Sequence, residues 1–142
     1  MSISLILISL SGAVCWGLAP IFGKLGLSSV EPMDGLAART MITLAFLLSW
    51  LVLTNGFTRV WAIPSKDWLN LGMEAFFATL AGDLAYYAAL KWGGAGVSAV
   101  VFAVSPVITI GLSNLVFQEA FTLLQIVGVI MVGFGILLVV TG

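Results

Sequence analysis

Apolar residues in this chain come in long unbroken runs, not in alternation. Five such runs stand out: Ile3 to Gly23, closed by Lys24; about Leu36 to Thr54; Trp68 to Trp92; Val97 to Phe117; and Leu123 to Thr141. Each is near or above the roughly 20 residues that carry an α-helix across a bilayer. None alternates with period two, so barrel strands are not indicated. Backbone polar groups in hydrocarbon must be paired within the segment, so the runs predict helices. The connections between them are short. Glu31-Pro32-Met33-Asp34-Gly35 lies in the first, Asn55-Gly56 opens the second, Gly93-Gly94-Ala95-Gly96 forms the third, and Gln118 to Thr122 forms the fourth. Trp50, Trp61, Trp68 and Trp92 fall near predicted span ends, as interfacial aromatic belts do.

Composition narrows the class. The 142 residues are 61% hydrophobic and 8% charged, and mean hydropathy is +1.21. Soluble domains carry about 25% charged residues, so this chain has too little polar surface to be one, and it is too apolar to be disordered. The fold class expected is an all-α membrane protein, a single transmembrane domain over residues 1–142. With no histidine and one cysteine, Cys15, neither an internal disulfide nor a thiolate or imidazole metal site is expected, and no cofactor. Cys15 reads as a packed thiol. The net charge of −1 offers no footprint for nucleic acid. The first run is too long for a removable signal and lacks a basic leader.

Five passes put the termini on opposite sides. One face then carries Lys24, Arg39 and Lys91, and the other Arg59 and Lys66. Orientation follows the Lys/Arg excess in short loops, and three against two is nearly none. Either the protein inserts both ways round, as an antiparallel homodimer requires, or another factor sets one orientation.

Several short motifs, in order, resemble one family. They are Trp16-Gly17 with Phe22-Gly23-Lys24, Arg39, Tyr87-Ala88-Ala89-Leu90-Lys91, Pro106, and Phe117-Gln118-Glu119-Ala120-Phe121-Thr122 followed by Gln125, Gly128 and Gly133. Together they resemble an EamA-type repeat of the drug/metabolite transporter superfamily, over essentially the whole chain. The resemblance implies the single-repeat, five-helix branch of bacteria and archaea, in the cytoplasmic (inner) membrane. Most relatives fuse two inverted repeats. A single repeat of odd helix count needs an oppositely inserted copy to rebuild that arrangement, so a homodimer with the substrate between the copies is the expectation. Helix one lacks the membrane-embedded acid of the four-helix small multidrug resistance proteins, so their coupling mechanism is not carried over.

Polar residues inside the runs are the candidate site. Asp83 lies near the middle of the third run, where a charge costs about 2.5–3.5 kcal/mol. It reads as a coupling or substrate-binding group, or as a structural hydrogen bond. Thr79, Tyr86 and Tyr87 share its side at helical spacing. Glu74, nine residues earlier, falls half a turn away, which argues against a paired-carboxylate site and for an interfacial role. Arg39 either neutralises an acid or binds an anion, or else anchors its helix end. Ser98, Ser105 and Thr109, with Phe102 between them, form a stripe in the fourth run that reads as a cavity wall or as ordinary interhelical contact. Pro106 beside it, and Pro20 in the first run, are candidate hinges. Trp16 is a packing or cavity residue. Glu119 reads as a cap for the last helix.

Small residues recur at i, i+4 in Ser9/Ala13/Gly17, Ala81/Ala85/Ala89 and Ala95/Ala99/Ala103, which suits close helix packing. Gly128 and Gly135 suggest a packing or dimer seam on the last helix. No nucleophile–base pair or phosphate-cradling loop is present, so an enzyme is not expected. The leading expectation is a secondary transporter half-unit for a small organic metabolite. A flippase for lipid or a lipid carrier, and a non-transporting accessory subunit, are the alternatives. Membrane lipid, the substrate and a second copy are the expected partners.

Overall fold

The computed structural model describes residues 3–118, 120 and 122–142. The described residues are helical, joined by short turns, and contain no strand. The helices are α1 (Ile3–Gly26), α2 (Pro32–Leu53), α3 (Phe57–Trp61), α4 (Ser65–Ala75), a π-helical segment (Phe76–Gly82), α5 (Asp83–Trp92), α6 (Ala95–Phe102), α7 (Ser105–Phe117) and α8 (Leu123–Thr141). Four stretches are long and apolar enough to cross a membrane: Ile3–Gly26, Pro32–Leu53, Ala95–Phe117 and Leu123–Thr141.

The boundaries follow from local chemistry. α1 runs past Lys24 to Gly26 and continues through Pro20, which is buried. Pro20 has no N–H for the carbonyl of Trp16. α2 starts four residues earlier than its apolar run, because Pro32 stands at the first helical position after an extended Glu31. Asn55 is left-handed at φ 51°, a conformation asparagine tolerates, and it ends α2. The short α3 then interrupts what the sequence reads as plain loop. α7 ends on Gln118, also left-handed, at φ 56°.

The third expected span is the one the structure alters most. Ser65 to Trp92 is helical throughout, but a π-helical segment separates α4 from α5. It also carries Lys66, Asp67, Glu74, Asp83 and Lys91, more charge than the four apolar spans. The fourth expected span is broken as well. Ala103 and Val104 form a turn between α6 and α7, with Pro106 in the first turn of α7. A proline there cannot donate to the carbonyl of Phe102, so the α-ladder gives way just before it. α8 opens on a capping box. The Thr122 hydroxyl accepts from the Gln125 N–H at 3.3 Å, and the Thr122 N–H donates to Gln125 Oε1 at 2.8 Å. Thr122 therefore fills the capping role expected of Glu119, which lies outside the described residues.

The chain forms two compact units, residues 1–21 with 93–142, and residues 22–92. In the second, Leu27, Leu36, Tyr87 and Leu90 are the buried apolar side chains. They gather where α5 meets α2 and the end of α1. In the first, Ser98 is buried. Most large apolar side chains are exposed, as suits helices whose solvent is lipid. Cys15 is exposed rather than packed.

Candidate functional site

The site is built in residues 22–92, from α2 and α5. The Arg39 guanidinium donates to Asp83 Oδ2 at 2.6 Å. The same guanidinium lies 5.6 Å from the centre of the Tyr87 ring, within cation–π range. Tyr87 stands one helical turn after Asp83, so α5 offers carboxylate and ring to one cation, as i, i+4 spacing allows. Tyr87 itself is buried. Gly35 makes room beside this cluster for Leu27, whose side-chain tip would stand 2.5 Å from a Cβ there, while the Tyr87 ring would lie at ordinary contact distance, 3.5 Å.

The pair is not sealed. Side-chain exposure is 44% for Arg39 and 28% for Asp83. Counting eight residues back from Lys91 and seven on from Pro32 puts it about 10–12 Å inside its end of the helices. Arg39 thereby lies well inside the candidate span Pro32–Leu53, and Asp83 meets it there from α5.

That end is tied by two lysines. Lys24 donates to the carbonyls of Leu90 (2.5 Å) and Lys91 (2.9 Å). Both belong to the last turn of α5, whose carbonyls have no intrahelical donor and attract cations. Gly23 permits the contact, since a Cβ there would already be 3.1 Å from Leu90. Lys91 in turn donates to the Val30 carbonyl at 2.9 Å and to Glu31 Oε1 at 2.8 Å. From sequence these lysines register only as topology charges. The Phe22-Gly23-Lys24 motif was the available signal, a small residue and a cation at a helix end.

Of the residues singled out in the sequence, Arg39, Asp83 and Tyr87 are brought together. Tyr86, between Asp83 and Tyr87 on α5, is half-buried. Glu74 lies on α4, exposed. Trp16, Phe102, Ser105, Pro106 and Thr109 belong to the other unit. There Trp16 is 84% exposed, and Thr109 returns its hydroxyl to the Ser105 carbonyl at 3.1 Å, a local bond within its own helix. The same unit has an apolar groove of about 440 Å³ lined by Ala103, Pro106, Val107, Ile110, Gln125, Gly128, Val129 and Val132. Among the described residues no group of His, Cys, Asp or Glu is arranged to hold a metal.

Comparison with known proteins agrees with a membrane pathway rather than an enzyme. A curated relative from Sinorhizobium sp, named an uncharacterized transporter in the cobO 3′ region, is 29% identical over 130 residues, covering 92% of each chain. No solved structure matches. The model of the EamA-like transporter family matches residues 3–141. This multi-pass membrane protein belongs to the EamA-like transporter family.

Proposed function

We propose that the protein is a transporter half-unit that moves a small organic metabolite by alternating access, with the Arg39–Asp83 pair as its polar site. The half-exposed ion pair at membrane depth carries this reading. Facing hydrocarbon, such charges would cost several kcal/mol, so their open side faces water or a second subunit. A guanidinium and a carboxylate side by side serve a substrate with a charged or strongly polar group. Asp83 also serves as a proton acceptor once Arg39 is drawn away. Arg39, Asp83 and Tyr87 carry the proposal; Trp16, Tyr86, Phe102, Ser105 and Thr109, and the hinges Pro20 and Pro106, enter it from the sequence.

In this reading Ser65–Trp92 is the fifth span. It carries the core contacts to α2, and the lysine ties hold its end beside that of α1. The working unit is an antiparallel homodimer in a bacterial or archaeal inner membrane. One side carries Lys24, Arg39 and Lys91 and the other Arg59 and Lys66, an excess too small to fix one orientation. Gly135 on α8 meets nothing within 4 Å of where a Cβ would stand, so a copy packed against that end of α8 is the reading for the seam.

Reporter fusions at the C-terminus are expected to show both orientations; a single location rejects the dual-insertion dimer. In proteoliposomes with an imposed pH gradient, gradient-driven uptake from a panel of labelled metabolites is expected to fail in Asp83→Asn. Unchanged uptake removes the coupling role. The apolar groove supports a second reading, a lipid or lipid-carrier flippase, which scrambling of a labelled lipid would favour.

A further inference from the structure

Glu74 and Asp83 are nine residues apart, and an unbroken α-helix, turning about 100° per residue, sets them about 180° apart. The run between them is not unbroken. Phe76–Gly82 is π-helical, and the Asp83 N–H donates to the Ala78 carbonyl, five residues back. A wide turn of this kind takes up one extra residue. The effective spacing becomes eight, and the two acids then stand about 80° apart, on adjoining sides.

The wide turn has a residue requirement. A Cβ on Gly82 would lie 2.8 Å from the carbonyl oxygen of Phe77. That oxygen is backbone, five residues back, and cannot swing aside as a side-chain tip would. The two halves joined here are also unequal. α5 buries Tyr87 and Leu90, and Lys24 and Lys91 tie its end. α4 buries no residue. If the wide turn is lost, α4 is the half that turns.

We propose that Gly82 is a positioning residue, and that the π-helical turn it permits sets the phase of α4 so that Glu74 stands on the side adjoining Asp83, which Arg39 of α2 meets, and not on the opposite one. This deepens the reading of the ion pair as the site by adding a second acid about 12 Å along the same segment. It rests on that reading for its purpose, not for its geometry. Removing the turn rotates α4 by about 100° and carries Glu74 to the far side.

The test is a set of distances in a Cys15→Ser background. Spin labels are placed singly at Leu69→Cys, Asn70→Cys or Leu71→Cys on α4, each against Leu47→Cys on α2, and read by double electron–electron resonance. A 100° turn carries a side-chain tip about 8 Å around a helix 10–12 Å across. Gly82→Ala is therefore expected to shift the three distances by several Å and change their order. Deleting Ala81 in the Gly82→Ala chain restores the spacing of eight in pure α-helix, and is expected to restore the original distances. Unchanged distances in Gly82→Ala, or no restoration by the deletion, overturn the proposal. If Gly82→Ala does not fold, deletion of Ala81 alone is expected to keep the original order, and a changed order overturns it. No arm measures transport, so this proposal and the transport reading fail separately.

Discussion

Replacing Asp83 with asparagine removes one charge of the ion pair and leaves the other. Arg39 donates to Asp83 at 2.6 Å, about 10–12 Å inside the helix ends. An unpaired arginine at the bilayer centre costs about 2.5–3.5 kcal/mol on insertion scales. Arg39 is 44% exposed, and its long stem lets the guanidinium reach toward the surface, which lowers the cost to about 2 kcal/mol. Asp83→Asn and Arg39→Gln, taken singly, should each destabilise the fold by about that amount. The double variant leaves no orphaned charge, and its amides can bond each other, so the loss should fall well short of the sum. Contacting residues in one network couple by about 0.5–3 kcal/mol, and about 1.5 kcal/mol is expected here. The assay is reversible unfolding in mixed micelles of rising dodecyl sulfate content, read by circular dichroism. The exchanged pair, Arg39→Asp with Asp83→Arg, should recover part of the lost stability. Additive single effects, with coupling below about 0.5 kcal/mol, would show that the two side chains do not form a pair in the membrane.

The other predictions concern the supports of the site. Lys24→Met removes two charge-assisted bonds to α5 and should cost about 1.5–3 kcal/mol, measured in the same unfolding assay. Glu31→Gln should cost under about 1 kcal/mol, because its bond to Lys91 is made by a carboxylate that is 67% exposed. Tyr87→Leu loses the cation–π contact with Arg39 and should cost about 0.5–1 kcal/mol, read in the same assay. Thr122→Ala opens the capping box of α8 and should cost about 1 kcal/mol, visible as faster hydrogen exchange at the Gln125 amide.

The apolar runs alone determined that the chain is helical and lies in a membrane, because hydrocarbon offers unpaired backbone groups no partner. Local chemistry was legible too. The left-handed Asn55 sits at the Asn-Gly turn, and Pro106 lies just past the break in the fourth run. Arg39, Asp83 and Tyr87 were visible as candidates, since ionisable and aromatic groups at membrane depth need a reason to be there. Their union was not visible, because 44 residues of chain separate Arg39 from Asp83 and only the packing of α5 on α2 brings them together. The lysine ties escaped for a similar reason. Lys24 binds main-chain carbonyls 66 and 67 residues away, and a carbonyl has no signature in sequence. The phase of Glu74 escaped because helical arithmetic assumes a constant turn, and the backbone changes its turn between Phe76 and Gly82.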